Sequence, residues 1–316
     1  MRKQIKYLIL GIMTSLTLIL LAGCSVITLE NPYQKVDNTA KKKPKEIRVG
    51  VSLSTLNNPF FIAVKNGVND TAKAHGTKVQ IADAQNNTAK QTNDVEDMIQ
   101  RGVDILIINP VDSDAITPEV KAANNAGIPV ITVDRSSSGG KVLTLVASNS
   151  VEGGNMAAKF MLKQLGTDAK IAELQGIPGA SASRERGRGF DNAVKGKLDI
   201  VAKQTANFDR AQGLTTTENI IQGHPDIKGI FSQNDEMALG AVQALRNKPD
   251  IMLVGFDGSQ DALTAVKNGQ MAATVAQKPY QMGKLAMQAV YDHFDKKTLP
   301  KNIKSPLELV VNSKYR

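Results

Sequence analysis

The feature that most constrains the fold is a regular alternation of short apolar runs and amphipathic segments from Glu46 onward. The apolar runs have the length and composition of buried strands, and the segments between them have helical periodicity. Runs of this kind occupy residues 47–53, 103–108 and 128–133. The alternation predicts right-handed βαβ units and a mainly parallel sheet. A second series begins near Gly153, so the chain is predicted to form two similar doubly wound α/β lobes.

Chemically demanding residues directly follow four of the apolar runs. They are Asn109, then Asp134 with Arg135, then Asn234, and finally Phe256 with Asp257. If each run is a parallel strand, these side chains meet at the carboxyl edges of sheets, where open α/β folds bind their ligands. The pattern therefore predicts one binding site assembled from many loops.

Residues 1–23 have the pattern of a secretory signal peptide. Three basic residues, Arg2, Lys3 and Lys6, precede an apolar stretch at 7–21, which is shorter than the ~20 residues of a membrane-spanning helix. The sequence Leu21-Ala22-Gly23-Cys24 resembles the lipobox of bacterial lipoproteins. That resemblance implies that Cys24 becomes a lipid-modified amino terminus at the outer face of the cell membrane, typical of a Gram-positive surface lipoprotein rather than a free periplasmic protein. An uncleaved membrane anchor is the alternative.

Residues 24–45 are predicted to form a flexible tether, because they lack a long apolar period. Its lysines at 41, 42, 43 and 45 are expected to be solvated or to lie along anionic lipid. Residues 1–45 hold eight Lys or Arg against Glu30 and Asp37, a net +6, so residues 46–316 carry only +3 of the total +9. The basic charge belongs mostly to the leader and tether and gives no argument for nucleic-acid binding.

The sequence offers little support for catalysis or for a metal or cofactor. None of the three histidines, His75, His224 and His293, follows a predicted strand, so no Ser-His-Asp arrangement is indicated. The segment 112–114 lacks the glycine and distal Glu of a calcium loop. The segment 187–189 lacks the third glycine of a dinucleotide fingerprint. We predict a protein that is not an enzyme and has no cofactor or metal.

Eight stretches of the chain have the form of family motifs, and several include the strand-end residues described above. These stretches are 54–61 (STLNNPFF), 108–110 (INP), 133–135 (VDR), 173–176 (ELQG), 184–187 (RERG), 208–210 (FDR), 233–240 (QNDEMALG) and 254–258 (VGFDG). Through them the chain resembles the bacterial ribose-binding proteins from about Ile47 to Gln277, and more weakly beyond.

The resemblance implies a type I periplasmic-binding-protein fold in which two lobes are joined by a three-stranded hinge. It places the crossings near Ser148-Asn149, near Gln277-Lys278 and at 305–307, with a last helix at 280–294 that returns to the first lobe. The predicted domains are therefore discontinuous: an N-terminal lobe of residues 46–148 plus 278–306, and a C-terminal lobe of residues 149–277 plus 307–316. The implied function is capture of D-ribose or a related monosaccharide and its delivery to an ABC permease by a monomeric protein.

The resemblance also assigns twelve ligand contacts, six in each lobe. A neutral sugar has hydroxyls at its rim and C–H groups on its faces, so a selective pocket needs polar groups at the edge and aromatic rings above and below. In that scheme Asp134 and Asp257 accept hydroxyl hydrogens, Arg135 and Arg186 donate, and Phe208 and Phe256 with Phe60 or Phe61 enclose the ring. The twelve residues are Asn58, Phe60, Phe61, Asn109, Asp134, Arg135, Arg186, Phe208, Asn234, Phe256, Asp257 and Gln277.

Three alternatives keep the fold and change the function. Sugar-sensing cores of one class of transcription repressors have this architecture, but they carry a helix-turn-helix segment where this chain has its leader and tether. The ligand is alternatively another pentose, a hexose or a furanose-like signalling molecule. A receptor-only role, in which the loaded protein informs a membrane sensor, is the third.

Overall fold

The computed structural model describes residues 41–315. The predicted signal peptide, Cys24 and most of the predicted tether lie outside the described residues. The last tether residues contact the first lobe: Lys42 Nζ lies 2.7 Å from Asp104 Oδ1, and the Thr77 hydroxyl donates to the Pro44 carbonyl at 3.0 Å. Because Asp104 is buried, Lys42 is fixed against the first lobe and differs from the expected solvated lysine.

Two six-stranded sheets organise the described residues. In the first lobe the strands are β1 (Arg48–Leu53), β2 (Lys78–Asp83), β3 (Ile105–Ile108), β4 (Val130–Val133), β5 (Thr144–Ala147) and β11 (Asn302–Lys304). In the second lobe they are β6 (Lys170–Gln175), β7 (Asp199–Thr205), β8 (Gly229–Ser232), β9 (Met252–Asp257), β10 (Ala273–Ala276) and β12 (Glu308–Val311).

Helices cover both faces of each sheet and connect the strands. The helices between β1 and β4 are α1 (Pro59–His75), α2 (Thr88–Gln100) and α3 (Thr117–Asn125). The later helices are α4 (Ser150–Leu165), α5 (Ser181–Val194), α6 (Arg210–Gly223), α7 (Asp235–Ala244), α8 (Gln260–Lys267) and α9 (Pro279–Phe294). Within residues 41–315, no helix has the length and apolar character needed to cross a membrane.

Both sheets have the same strand order and are almost entirely parallel. The order is β11-β5-β4-β3-β1-β2 in the first lobe and β12-β10-β9-β8-β6-β7 in the second. Among the described strands, only β12 runs antiparallel to its neighbour, β10. The strand order reverses between β1 and β3 and between β6 and β8, and ligands of doubly wound folds bind at such switch points. The predicted fold class of two similar doubly wound lobes is confirmed.

The chain crosses between the lobes three times. It leaves the first sheet after β5, returns after β10 to α9, which packs on α1 of the first lobe, and crosses again between β11 and β12. The connections are those between β5 and α4, between β10 and α9, and between β11 and β12. They form the three-stranded hinge on which the two lobes meet.

Close helix packing fixes the helices that carry predicted site residues. On α4, an added Cβ at Gly154 would lie 2.1 Å from the Arg186 carbonyl oxygen and 2.9 Å from the Phe190 nitrogen of α5. Only a glycine allows this approach of two backbones. The sequence analysis placed the start of the second series near Gly153, whereas α4 begins at Ser150 with Asn149 as its cap.

Replacing Gly154 with alanine is expected to separate α4 from α5 and to lower the free energy of unfolding by about 1–3 kcal/mol, the usual cost of overpacking. Gly223→Ala is the matched control, because nothing lies within 4 Å of an added Cβ there. Urea unfolding followed by circular dichroism measures both. Equal stability of the two variants would contradict the role of Gly154.

Asn109 connects three strand ends of the first lobe. Its Oδ1 accepts from the Ser54 nitrogen at 3.2 Å, after β1, and its Nδ2 donates to the Val133 carbonyl at 2.9 Å, the last residue of β4. The side chain is fully buried. Asn109 thus holds the carboxyl ends of β1, β3 and β4 in register at the edge where the predicted site lies.

Asn109→Ala would leave the Ser54 N–H and the Val133 carbonyl buried without partners. Each such group costs about 1–3 kcal/mol, so we expect the free energy of unfolding to fall by about 2 kcal/mol or more. Asn66→Ala, on the exposed side of α1, is the control and should change stability by less than about 0.5 kcal/mol. A urea midpoint for Asn109→Ala that matches the control would remove this structural role.

Candidate functional site

The carboxyl ends of the two sheets face one cavity between the lobes. Nine of the twelve predicted contact residues line it, together with Ala182, which the sequence analysis did not single out. The lining residues of the first lobe are Asn58, Phe60, Phe61, Asp134 and Arg135, and those of the second are Ala182, Arg186, Phe208, Asn234 and Asp257. The fold thus brings together residues separated by almost 200 positions in sequence.

Two carboxylates and two guanidinium groups form the polar centre of the cavity. Arg186 of the second lobe lies 3.8 Å from Asp134 of the first lobe and 3.6 Å from Asp257, and Arg135 Nε lies 3.6 Å from Asp134 Oδ2. All four residues are at least nine-tenths buried. These separations are longer than hydrogen bonds, so the charges balance one another while their donors and acceptors remain able to bond a ligand.

Protein backbone groups hold both arginines in place. Arg135 Nη1 donates to the Pro110 carbonyl at 3.0 Å, and Arg186 Nη1 donates to the Gln233 carbonyl at 2.7 Å. The Nε atom of each arginine is buried and has no hydrogen-bond partner among residues 41–315. Buried polar groups in proteins are normally paired, so these two N–H groups are candidate donors to a ligand.

Burial shifts the ionisation of this cluster. Desolvation raises the pKa of Asp257 above that of an exposed carboxyl group, opposed by Arg186 and by the hydrogen bond from Gln277 and aided by the charges of Asp235 and Asp134. Desolvation also lowers the pKa of Arg135 to about 10, opposed by Asp134 and Asp257. Strongly shifted groups that share one cavity are typical of functional sites.

Aromatic rings enclose the arginines. The Arg135 guanidinium carbon lies 5.2 Å from the centroid of Phe61 and 5.2 Å from that of Phe208. Rings at these distances stabilise a cation through their quadrupoles and exclude water from it. Phe61 and Phe208 also line the cavity, where they present apolar surface beside the polar centre.

Phe256, which the resemblance assigns to the ligand, is not among the residues that line the cavity. Its ring is fully buried in the core of the second lobe and lies 4.0 Å from the Arg186 guanidinium carbon. Helix α4 covers the ring so closely that an added Cβ at Gly153 would lie 2.5 Å from it. This packing directs Phe256 onto Arg186, and the ring does not line the cavity.

Gln277 and Asn109 also lie outside the lining. Gln277 Nε2 donates to Asp257 Oδ1 at 2.9 Å, and its backbone nitrogen donates to the Asp257 carbonyl at 2.8 Å. It therefore orients Asp257. Asn109 bonds backbone groups, as described above.

Both lining asparagines cap helices at the rim of the cavity. Asn58 Oδ1 accepts from the Phe60 nitrogen at 2.8 Å, and Asn234 Oδ1 accepts from the Met237 nitrogen at 2.9 Å. Capping fixes each side chain at the start of its helix. It explains how residues in two loops hold a constant position at the cavity.

Three lining residues adopt backbone conformations that L-amino acids rarely use. The φ angles are 63° at Asp134, 61° at Phe208 and 127° at Asp257. Each costs about 1–3 kcal/mol and persists only where surrounding contacts enforce it. The conformation of Asp134 is enforced by a hydrogen bond that its backbone nitrogen donates to the Val146 carbonyl at 2.9 Å. This strain at the cavity is typical of a preorganised binding site.

Sequence reasoning missed Gln233, which organises the second-lobe half of the site. Its Oε1 accepts from the Gly176 nitrogen at 2.9 Å and from the Ser183 hydroxyl at 2.6 Å, and its Nε2 donates to Glu173 at 2.8 Å. Its carbonyl holds Arg186. The available signal was a polar residue at the end of a buried strand, directly before Asn234.

Known proteins match this chain over most of its length. The periplasmic binding protein domain matches residues 49–298. The chain is 53% identical over 301 residues to the ribose import binding protein RbsB of Bacillus subtilis (strain 168), which covers 95% of this chain and 97% of that protein. It is 49% identical over 238 residues to the ribose import binding protein RbsB of Escherichia coli (strain K12), covering 74% and 80% respectively.

A solved structure agrees with these matches. An ABC transporter solute binding protein from Mycobacterium smegmatis with bound glycerol has 36% sequence identity and a TM-score of 0.81, and covers 85% of this chain and 95% of that one. The relatives named here are import binding proteins and the solute binding protein of an ABC transporter. The domain match, the long alignments and the two-lobed fold show that this chain belongs to the periplasmic binding protein family.

Proposed function

We propose that this protein binds D-ribose between its two lobes and delivers it to an ABC-type membrane importer. The observation that carries the proposal is the buried set of two Asp–Arg pairs from opposite lobes around one cavity. The names of the relatives in Bacillus subtilis and Escherichia coli support ribose as the ligand. The sugar is bound and released without chemical change.

The polar centre of the cavity matches the chemistry of a small neutral sugar. Asp134 and Asp257 accept hydrogen bonds from sugar hydroxyls, and the free Nε groups of Arg135 and Arg186 donate to them. Hydrogen bonds to charged groups are worth roughly 1.5–3 kcal/mol each. Several of them exceed the cost of immobilising a pentose and give the ~8 kcal/mol of a micromolar complex.

The ligand also supplies the free energy for closure. Asp134 and Arg186 belong to different lobes, so a sugar that bonds both favours the form in which the lobes meet. The loaded, closed protein then presents surfaces of both lobes to the permease. The predicted domain limits, a monomeric state and the absence of any nucleic-acid partner belong to this proposal.

Isothermal titration of the purified protein with D-ribose tests the assignment, after bound sugar has been removed by unfolding and refolding. D-Xylose, D-allose and D-galactose serve as comparison sugars. We expect one-to-one binding of ribose, much tighter than of the others. Heat from a different sugar in the panel would overturn ribose and keep the sugar-binding role.

Asp134→Ala and Arg186→Ala are each expected to weaken sugar binding at least tenfold, because each removes charged hydrogen bonds and leaves the opposite charge unbalanced in the cavity. Arg188→Ala is the control, since Arg188 is exposed on the same helix, α5, and does not line the cavity. Circular dichroism verifies that each variant is folded. Unchanged affinity for either site variant would remove that residue from the site.

We further propose that lipid on Cys24 anchors the protein at the outer face of the cell membrane. The support is the lipobox sequence that ends at Cys24 and the position of the folded part after a polar segment. A membrane anchor keeps the binding protein close to its importer. The same arrangement is compatible with a membrane sensor as a second partner.

Cys24→Ala should release the protein from the membrane fraction, because no lipid can then be attached. Cell fractionation with labelled palmitate measures both location and lipid. Ser25→Ala is the control and should remain in the membrane fraction. Membrane association of a cleaved Cys24→Ala protein would contradict the lipid anchor.

A further inference from the structure

A second set of contacts joins the lobes outside the sugar cavity. The Ser113 nitrogen donates to the Gly179 carbonyl at 2.9 Å, the Ser181 nitrogen donates to Ser113 Oγ at 3.2 Å, and the Ser136 nitrogen donates to Ser181 Oγ at 2.9 Å. Ser113 and Ser136 follow β3 and β4 of the first lobe, whereas Gly179 and Ser181 precede or begin α5 of the second. None of these four residues lines the cavity.

These contacts exist only while the lobes are together. Ser113 and Ser181 are buried between the lobes, and separation of the lobes would expose both to water. We propose that Ser113, Ser136, Gly179 and Ser181 form a closure latch that sets sugar affinity from outside the cavity. This inference rests on the proposed function, because it assumes that the sugar is bound by the closed form.

Gly179 is the latch residue at which steric fit between the lobes matters most. An added Cβ at Gly179 would lie 1.8 Å from Asp112 Oδ2 in the opposite lobe, and the three nearest atoms all belong to Asp112. Asp112 cannot easily turn away, because its Oδ1 accepts from the nitrogens of Asp114 and Ala115 at 2.8 and 2.9 Å. Any side chain at position 179 therefore obstructs closure.

The second-lobe side of the latch is braced within its own lobe. Arg184 Nη1 donates to the Pro178 carbonyl at 3.2 Å and to the Gly179 carbonyl at 2.7 Å. The Gly179 carbonyl, which accepts the hydrogen bond from the Ser113 nitrogen, is thus held in position by a residue of α5. Arg184, which the sequence analysis did not assign to the ligand, acts here as a positioning residue.

The latch affects affinity through the closing equilibrium. A sugar whose binding requires the closed form loses apparent affinity by the factor by which that form is depopulated. One neutral hydrogen bond changes an equilibrium constant by about two- to tenfold. A steric obstruction that also breaks several of these bonds is expected to exceed that range.

Gly179→Ala is therefore expected to weaken sugar binding at least tenfold in the purified full chain, measured by isothermal titration. Urea unfolding should be unchanged, because the three atoms nearest to the added methyl group belong to the opposite lobe. Ser113→Ala, which removes one acceptor, should weaken binding about two- to tenfold. Gly223→Ala, on the surface of the same lobe with open space around it, should bind as the unaltered protein does.

A second substitution, in the opposite lobe, distinguishes an obstructed latch from local distortion of the second lobe. Adding Asp112→Ala to Gly179→Ala removes the obstructing carboxylate, and affinity should return to that of Asp112→Ala alone. Wild-type affinity of Gly179→Ala, or a loss that Asp112→Ala does not relieve, would overturn the latch. The titrations use whichever sugar of the panel binds the unaltered protein, so a failure of ribose would contradict the proposed ligand and still leave the latch tested.

Discussion

The position of the Arg186 guanidinium between carboxylates of the two lobes is the interaction on which the rest of the site depends. Arg186 lies 3.8 Å from Asp134 across the cleft and 3.6 Å from Asp257 within its own lobe. Buried charges are costly unless opposite charges and hydrogen bonds accompany them. The lobes must therefore meet at one relative position, in which the Gln233 carbonyl and the Phe256 ring also hold Arg186. Strain at Asp134 and Asp257 is tolerated because it directs both carboxylates to this point.

Closure is governed by two kinds of contact with different physics. Inside the cavity, charged groups from both lobes are held slightly too far apart to bond one another directly, so a hydroxylated ligand can join them. At the rim, the latch joins backbone nitrogens of Ser113, Ser136 and Ser181 to the Gly179 carbonyl and to two serine hydroxyls, without any ligand. The first kind gives selectivity, because it depends on where the ligand carries oxygen atoms. The second adds the same free energy to closure over every sugar, and it makes affinity adjustable at positions that leave the cavity unchanged.

Much of this organisation was predictable from sequence, and the failures have identifiable causes. The strands β1, β3, β4, β8 and β9 were recognised because both their faces are buried and their sequences are continuously apolar. The short strands β11 and β12 were missed, because they are only partly buried edge strands whose pairing with β5 and β10 defines them. The start of α4 was placed late, since Gly153 and Gly154 weaken a helix locally but permit the close contacts with Phe256 and α5. For Phe256, Gln277 and Asn109 the structure adds what the sequence did not indicate, which is that their partners are Arg186, Asp257 and the strand ends.

The sequence by itself determined the two doubly wound lobes, the edge at which the ligand binds and most of the side chains gathered there. It did so because hydrophobic periodicity fixes which segments are strands and helices, and parallel strands bring their carboxyl ends to one edge. Only the tertiary structure decided which of those side chains face the cavity and which support their neighbours. It also revealed Gln233 as an organising residue and Gly179 as a point of contact between the lobes. These roles depend on distances between groups far apart in the chain, such as Gly179 and Asp112, which local sequence patterns do not encode.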